Sequence, residues 1–241
     1  MRPSETLLSE WQSTEHAAAG VNCTACHGGG PTMSRAWADR PGLDGCRECH
    51  AGEVSGFLRG KHGMRLAADL GPMRPEFARL PMRPKARDRE LGCTSCHAAH
   101  AFDRRRAAVE ACLECHDDRH SLAYLESSHY GRWKLEQARD EGEGTGVSCA
   151  TCHLPRVRVA NTAHPGVTVE HDQNAWLRPI ETMVRPVCQS CHGVAYSLAA
   201  MAEPGLAMSN FLRAPATPAR AIQMVRDKVK RGPPTAKENR R

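Results

Sequence analysis

Aromatic side chains are scarce in this sequence: four Trp, three Tyr and four Phe make up 5% of its 241 residues. Long apolar runs are missing as well. None approaches the roughly 18 consecutive apolar residues of a membrane-spanning helix, so the chain is expected to carry no transmembrane segment. Nor is any cysteine to spare, because all twelve fall in pairs of the form Cys-x-x-Cys. A chain so poor in large apolar side chains cannot bury enough surface to build an ordinary core, so something other than side chains must fill the interior. The formal charge of +6 comes without a nucleic-acid-binding motif, and nucleic acid is not expected as a partner.

The cysteine pairs share one further feature. Each is followed directly by histidine, giving six Cys-x-x-Cys-His pentapeptides: Cys23, Cys26 and His27; Cys46, Cys49 and His50; Cys93, Cys96 and His97; Cys112, Cys115 and His116; Cys149, Cys152 and His153; Cys188, Cys191 and His192. This is the attachment signature of c-type haem, in which both thiols form thioethers to one porphyrin and the histidine ligates its iron. Zinc ribbons have no use for a histidine after every second cysteine, and a disulfide framework has none either. Six covalently attached haems share the chain, about 40 residues apiece, and would supply most of its core. Their propionates add about twelve negative charges, so the basic balance of the protein part alone is misleading. The expected fold is mainly α with long loops, a haem-stacked core and little or no sheet.

Seven further histidines remain: His16, His62, His100, His120, His129, His164 and His171. Ligating all six irons on both faces requires six of them. His16, His62 and His129 each stand ahead of a pair of motifs, which divides the chain into units of approximately 11–50, 57–116 and 124–192. His100 follows His97 by three residues and can reach only a neighbouring iron. With His120 and His171 it completes the distal set, whereas His164, before Pro165, is set aside. Met33, Met64 and Met73 are alternative ligands, although methionine more often fills gaps in packing. Prolines over Leu70–Leu91, with Pro72-Met-Arg-Pro and Pro81-Met-Arg-Pro, predict an extended surface loop. Asp140–Gly146 predicts a glycine-rich loop, and Ser121–Arg139 a single helix capped by Ser121. One hexahaem domain is expected over 1–205, followed by a basic extension, 206–241.

The phrases CTSCHAAHAF, CLECHDDRH, LESSHYG, CATCHLPRV, HDQNAWLRP and CQSCH, in that order between Cys93 and His192, resemble the C-terminal half of the octahaem hydroxylamine oxidoreductase family. The resemblance implies His100, His120, His129 and His171 as distal ligands. It places the counterpart of that family's catalytic haem at Cys46–His50, with His62 as the residue that would cap its iron. This chain has six motifs rather than eight. Its one tyrosine after His192, Tyr196, lies in no phrase matching the tyrosine that crosslinks to the porphyrin in the hydroxylamine-oxidising members.

Two functions follow. The first is a periplasmic or extracellular electron carrier passing electrons among closely packed, mostly bis-histidine haems, between a quinol dehydrogenase-type donor or other cytochrome and a redox partner. In that role no residue is catalytic. The alternative is nitrite or hydroxylamine chemistry at one five-coordinate haem, that of His50, with His62, His164, Tyr130 or Lys134 as proton donors. The surplus histidine also leaves homo-oligomerisation by exchanged ligands open. The N-terminal MRPSETLLSEW has no apolar signal-peptide core, so export is expected to depend on a segment or partner outside this chain.

Overall fold

A computed structural model describes residues 3–29, 36–139, 144–159, 166–177, 179–203, 205–218 and 220–231. Met33, His164, residues 140–143 of the acidic loop and the basic end from 232 lie outside the described residues.

The elements are short, and several begin at a side-chain cap. Helix α1 (Glu5–Gln12) starts at Ser4, whose side chain accepts the Leu7 N–H, and α2 (Glu15–Ala18) starts at Thr14. The first motif is itself one helical turn, α3 (Cys23–His27), capped by Asn22. Positions i, i+3 and i+4 share a helix face, so a turn of helix sets both thiols and the histidine on one side. After α4 (Leu43–Arg47) come α5 (Ala51–Arg59) and α6 (Met64–Ala67). The proline-rich stretch then runs as an extended loop, interrupted by one 3-10 turn at Pro75–Phe77 and another at Pro84–Ala86. Arg83 donates from its backbone to the Cys115 carbonyl (2.8 Å) and from Nε to that of Leu113, and Met82 bridges to His116. The loop therefore straps the fourth motif.

Helices α7 (Cys93–Cys96), α8 (Arg104–Ala108) and α9 (Glu110–Leu113) follow. The single helix expected over Ser121–Arg139 is in fact two, α10 (Arg119–Tyr124) and α11 (Ser128–Arg139). Asp118, not Ser121, caps the first, accepting the Ser121 N–H at 3.1 Å. The buried Ser127 hydroxyl donates to the Tyr124 carbonyl and accepts the Tyr130 N–H, which closes one helix and opens the next. His120 and His129 thereby sit on separate helices. Ser148 caps α12 (Cys149–His153), after which β1 (Arg156–Val159) and β2 (Gly166–Val169) form one antiparallel pair with Arg156 opposite Val169. Helix α13 (Val194–Ala202) packs on the 3-10 turns Ile180–Met183 and Cys188–Ser190. The last helix is α14 (Arg220–Arg231).

The fold is mainly helical with long loops and a single two-stranded sheet. Its side-chain core is thin: Val109, Tyr124 and Trp133 form one cluster. Met183, Val184, Val187, Ala199, Ala200 and Leu206 are the buried apolar residues nearer the C-terminus. Leu206 is 2% exposed, so the packed body continues past 205, where the sequence suggests a boundary.

Glu136 closes the loop at its described end by accepting backbone N–H groups from Gly144, Thr145 and Gly146. Burial pushes this carboxyl up, but those N–H groups outweigh burial and hold it below its ordinary value. Its stabilising contribution is present above the ordinary carboxylate pKa and is lost as pH falls through the lowered one. Glu136→Gln is expected to cost about 1 kcal/mol at neutral pH and nothing once the wild-type carboxyl is protonated. Denaturant unfolding of both proteins at neutral and acid pH checks this.

Candidate haem sites

Twelve of the thirteen histidines of the sequence meet in twos, the thirteenth, His164, lying outside the described residues. His27 faces His100, His50 faces His16, His97 faces His171, His116 faces His62, His153 faces His120 and His192 faces His129. Ring centroids lie 5.9, 5.9, 6.4, 6.2, 5.9 and 6.2 Å apart in that order. Metal–imidazole bonds of about 2.0–2.1 Å put the centres of two rings trans across one metal ion about 6 Å apart. Every motif histidine thus has one of the expected distal histidines at the distance a shared iron sets. Among the described residues no group of three or more His, Cys, Asp or Glu could hold a metal ion.

The pairing obeys a rule that spacing alone does not reveal. In each unit the leading histidine faces the second motif: His16 with His50, His62 with His116, His129 with His192. The first motif takes its partner from elsewhere in the chain, His27 from His100, His97 from His171 and His153 from His120. The expectation that His62 caps the iron of His50 is corrected, because α2 delivers His16 to that position and His62 lies against His116. Tyr130 and Lys134, proposed as proton donors beside His50, instead pack with each other and with Tyr124. Met64 is exposed and Met73 half-buried.

Several ligands are oriented by groups that the sequence does not flag. A carbonyl only accepts, so the Nδ1 atoms of His27, His120 and His171 must donate to Ala38 (2.7 Å), Ala207 (2.6 Å) and Val169 (2.9 Å). That tautomer leaves Nε2 unprotonated, as a metal ligand must be, with Asn210 Nδ2 3.4 Å from that atom at His120. His116 Nδ1 is 3.4 Å from Asp118 Oδ2. Trp37 stacks on His27 at 4.6 Å and Tyr196 on His192 at 4.7 Å. Burial, with the neighbouring imidazoles, pushes His62 and His153 down to about 4, so both are neutral at physiological pH and can act as ligands. Two of these positions carry backbone strain. His100 itself has φ 67°, and Asn210, with φ 48°, donates to the His120 carbonyl. Non-glycine residues in this region persist where the surroundings impose them, often at functional sites.

His171 reaches His97 through a close approach of backbones. The segment 170–173 lies on α5 at Gly56 and Gly60, where a Cβ on Gly56 would come within 2.6 Å of Glu170 Oε1 and 3.0 Å of His171 N. Arg59 pairs with Glu170 (3.3 Å) and Thr168 donates to Glu53 (2.7 Å), holding the segment in place. Gly56→Val is expected to push His171 off its partner and turn one low-spin centre high-spin without altering any histidine. Electron paramagnetic resonance on the variant reads that change.

The motifs are neighbours in chain order. A Cβ on Gly45 in the second would meet the Cys26 carbonyl of the first at 2.9 Å. The Cys46 thiol lies beside that of Cys93, and the Cys112 thiol beside that of Cys149. These thiols stand in for the thioether sulfurs of the loaded protein. Cys96 feels Cys112 and Cys115, and Cys152 feels Cys188. Each pair of thiols with its ring pair therefore fits one covalently held porphyrin. The buried Trp176 Nε1, which has no protein acceptor, is a donor of the kind a propionate takes.

Residues 86–164, which hold the third, fourth and fifth motifs, match the family model for cytochrome c3. The match supports a multihaem c-type cytochrome. The matched stretch is about a third of the sequence and includes the strapped fourth motif and the core cluster. Comparison with curated proteins gives no match. Covalently bound haem in such a protein supports an electron-transfer role. Among its described residues no helix is long and apolar enough to cross a membrane.

Proposed function

We propose that this cytochrome carries six haems, each held between two histidines, and conducts electrons along them in chain order. It works in the periplasm or outside the cell, between a quinol dehydrogenase-type donor or other cytochrome and a redox partner. The observation that carries the reading is the six ring pairs at 5.9–6.4 Å, one for every motif. Haem supplies a one-electron couple whose potential responds to axial ligands, burial and nearby charge. The chain's own work is to fix the rings, keep them neutral and exclude water from the middle of the series. In the middle of the series burial pushes up the Cys96 and Cys152 thiols, and the neighbouring Cys149 thiol together with burial pushes up that of Cys112. Cys23, Cys49 and Cys191, at the two ends of the series, are exposed. That gradient suits entry and exit of electrons at the ends, with the interior kept from solvent.

The likeness to hydroxylamine oxidoreductase is read as shared ligand architecture rather than shared chemistry. An enzyme of that kind needs an iron with one histidine, and each motif histidine here faces a second ring. Tyr196 stacks on His192, the sixth motif's ligand, and so stands at the opposite end of the series from the second. The test is low-temperature electron paramagnetic resonance of the holoprotein during titration with carbon monoxide. The expected result is six low-spin centres and no ligand uptake. One high-spin centre that binds carbon monoxide would replace the carrier with an enzyme, and nitrite and hydroxylamine would become the substrates to assay.

A further inference from the structure

The helix α14, RAIQMVRDKVKR, has five Lys or Arg against one acid. Ile222, Val225 and Val229 fall at i, i+3 and i+7 and so share one face. Val225 is 60% exposed, Val229 74% and Met224 64%. Arg226 and Lys230 each follow a stripe valine by one position and are exposed beside it. Gln223 donates to Asp227 at 3.0 Å, which occupies the acid within the helix instead of leaving it to repel anions. An apolar stripe that remains exposed, edged by cations, has little reason to form for its own sake. The thin core leaves apolar residues of this protein in demand elsewhere, yet these are left outside.

We propose that α14 is a membrane-surface anchor that lies in the headgroup region of anionic phospholipids. Its apolar stripe enters the acyl boundary, and its cations, on long flexible stems, meet the phosphates. The stripe is short, so attachment is reversible and strongly dependent on salt. Charge complementarity favours lipid over a second copy of this chain, because a copy would bring the same cations face to face. The inference stands on the helix alone and does not depend on the number or ligation of the haems.

The experiment is co-sedimentation of the full-length holoprotein with vesicles of phosphatidylcholine, alone or mixed with phosphatidylglycerol. Binding is expected only to the mixed vesicles and is expected to fall as salt is raised. Arg226→Gln with Lys230→Gln is expected to weaken it about 30-fold, at roughly 1 kcal/mol per charge. Val225→Asp with Val229→Asp is expected to abolish it while leaving the haem spectrum and thermal melt unchanged. Failure of the wild type to bind anionic vesicles overturns the proposal, as does undiminished binding by both variants. A dimer in sedimentation equilibrium that the valine variant disrupts, without vesicle binding by the wild type, would instead make this face a contact between copies.

Discussion

Replacing His62 with alanine turns one low-spin haem of the series high-spin and opens it to carbon monoxide, one equivalent per chain. The His62 ring is half-buried and faces His116 at 6.2 Å, and the strap Leu80–Arg87 covers the same motif. Among the described residues no other histidine ring contacts His116. Met64, two positions on, is exposed, so nothing at hand takes the vacated position. The change belongs to the fourth motif, where both cysteines and His116 remain intact, so haem content is unchanged while one spin state moves. The optical spectrum with and without carbon monoxide measures it, and six low-spin haems in the variant would remove His62 from the ligand set. His16→Ala is the instructive partner experiment. It acts on the second motif, where the His50 side chain is half exposed, and so tests the rule of pairing at a more solvent-facing position.

The second large effect concerns the chain without haem, which is expected to lack a cooperative thermal transition. Among the described residues a side-chain core of Val109, Tyr124 and Trp133, with Val54 and Phe57 of α5, Ala86, Ala111 and one further buried group near the C-terminus, is too small to order a chain of 241 residues. Folding is therefore coupled to attachment, as it is to metal in small metal-held domains. Far-ultraviolet circular dichroism of the chain produced without haem ligation tests this, and a sharp melt close to that of the holoprotein would refute it. The adjacent Cys46–Cys93 and Cys112–Cys149 thiols add a hazard, since oxidation of the haem-free chain can join motifs that ought to hold separate porphyrins. Mass spectrometry under non-reducing conditions would find those links.

The cross-unit ligands bear on both expectations. His100, His120 and His171 each serve a motif outside their own stretch of chain, so no unit completes its ligation alone. This ties the three repeats into one body by coordination rather than by apolar packing, which the composition could not supply.

The sequence by itself determined the chemistry. Twelve cysteines spent in six identical pentapeptides leave little room for another reading, because covalent attachment needs two thiols and a ligand within one helical turn. The count of histidines asked for six distal residues out of seven, and the Pro165 that follows His164 made it the one to set aside. The proline spacing marked Leu70–Leu91 as extended, since proline can neither donate to nor continue a helix. The tertiary structure decided which histidine meets which. Partners as far apart as His97 and His171 are set by how Gly56 and Gly60 let one backbone settle on α5, a contact with no local signature. The same holds for the break at Ser127 that separates His120 from His129, and for Trp37, Ala38, Asp118 and Ala207, which orient or cover the rings. Attachment chemistry is local, governed by neighbours three and four residues away, and so is written in the sequence. Axial pairing is a long-range contact, and only the packed chain fixes it.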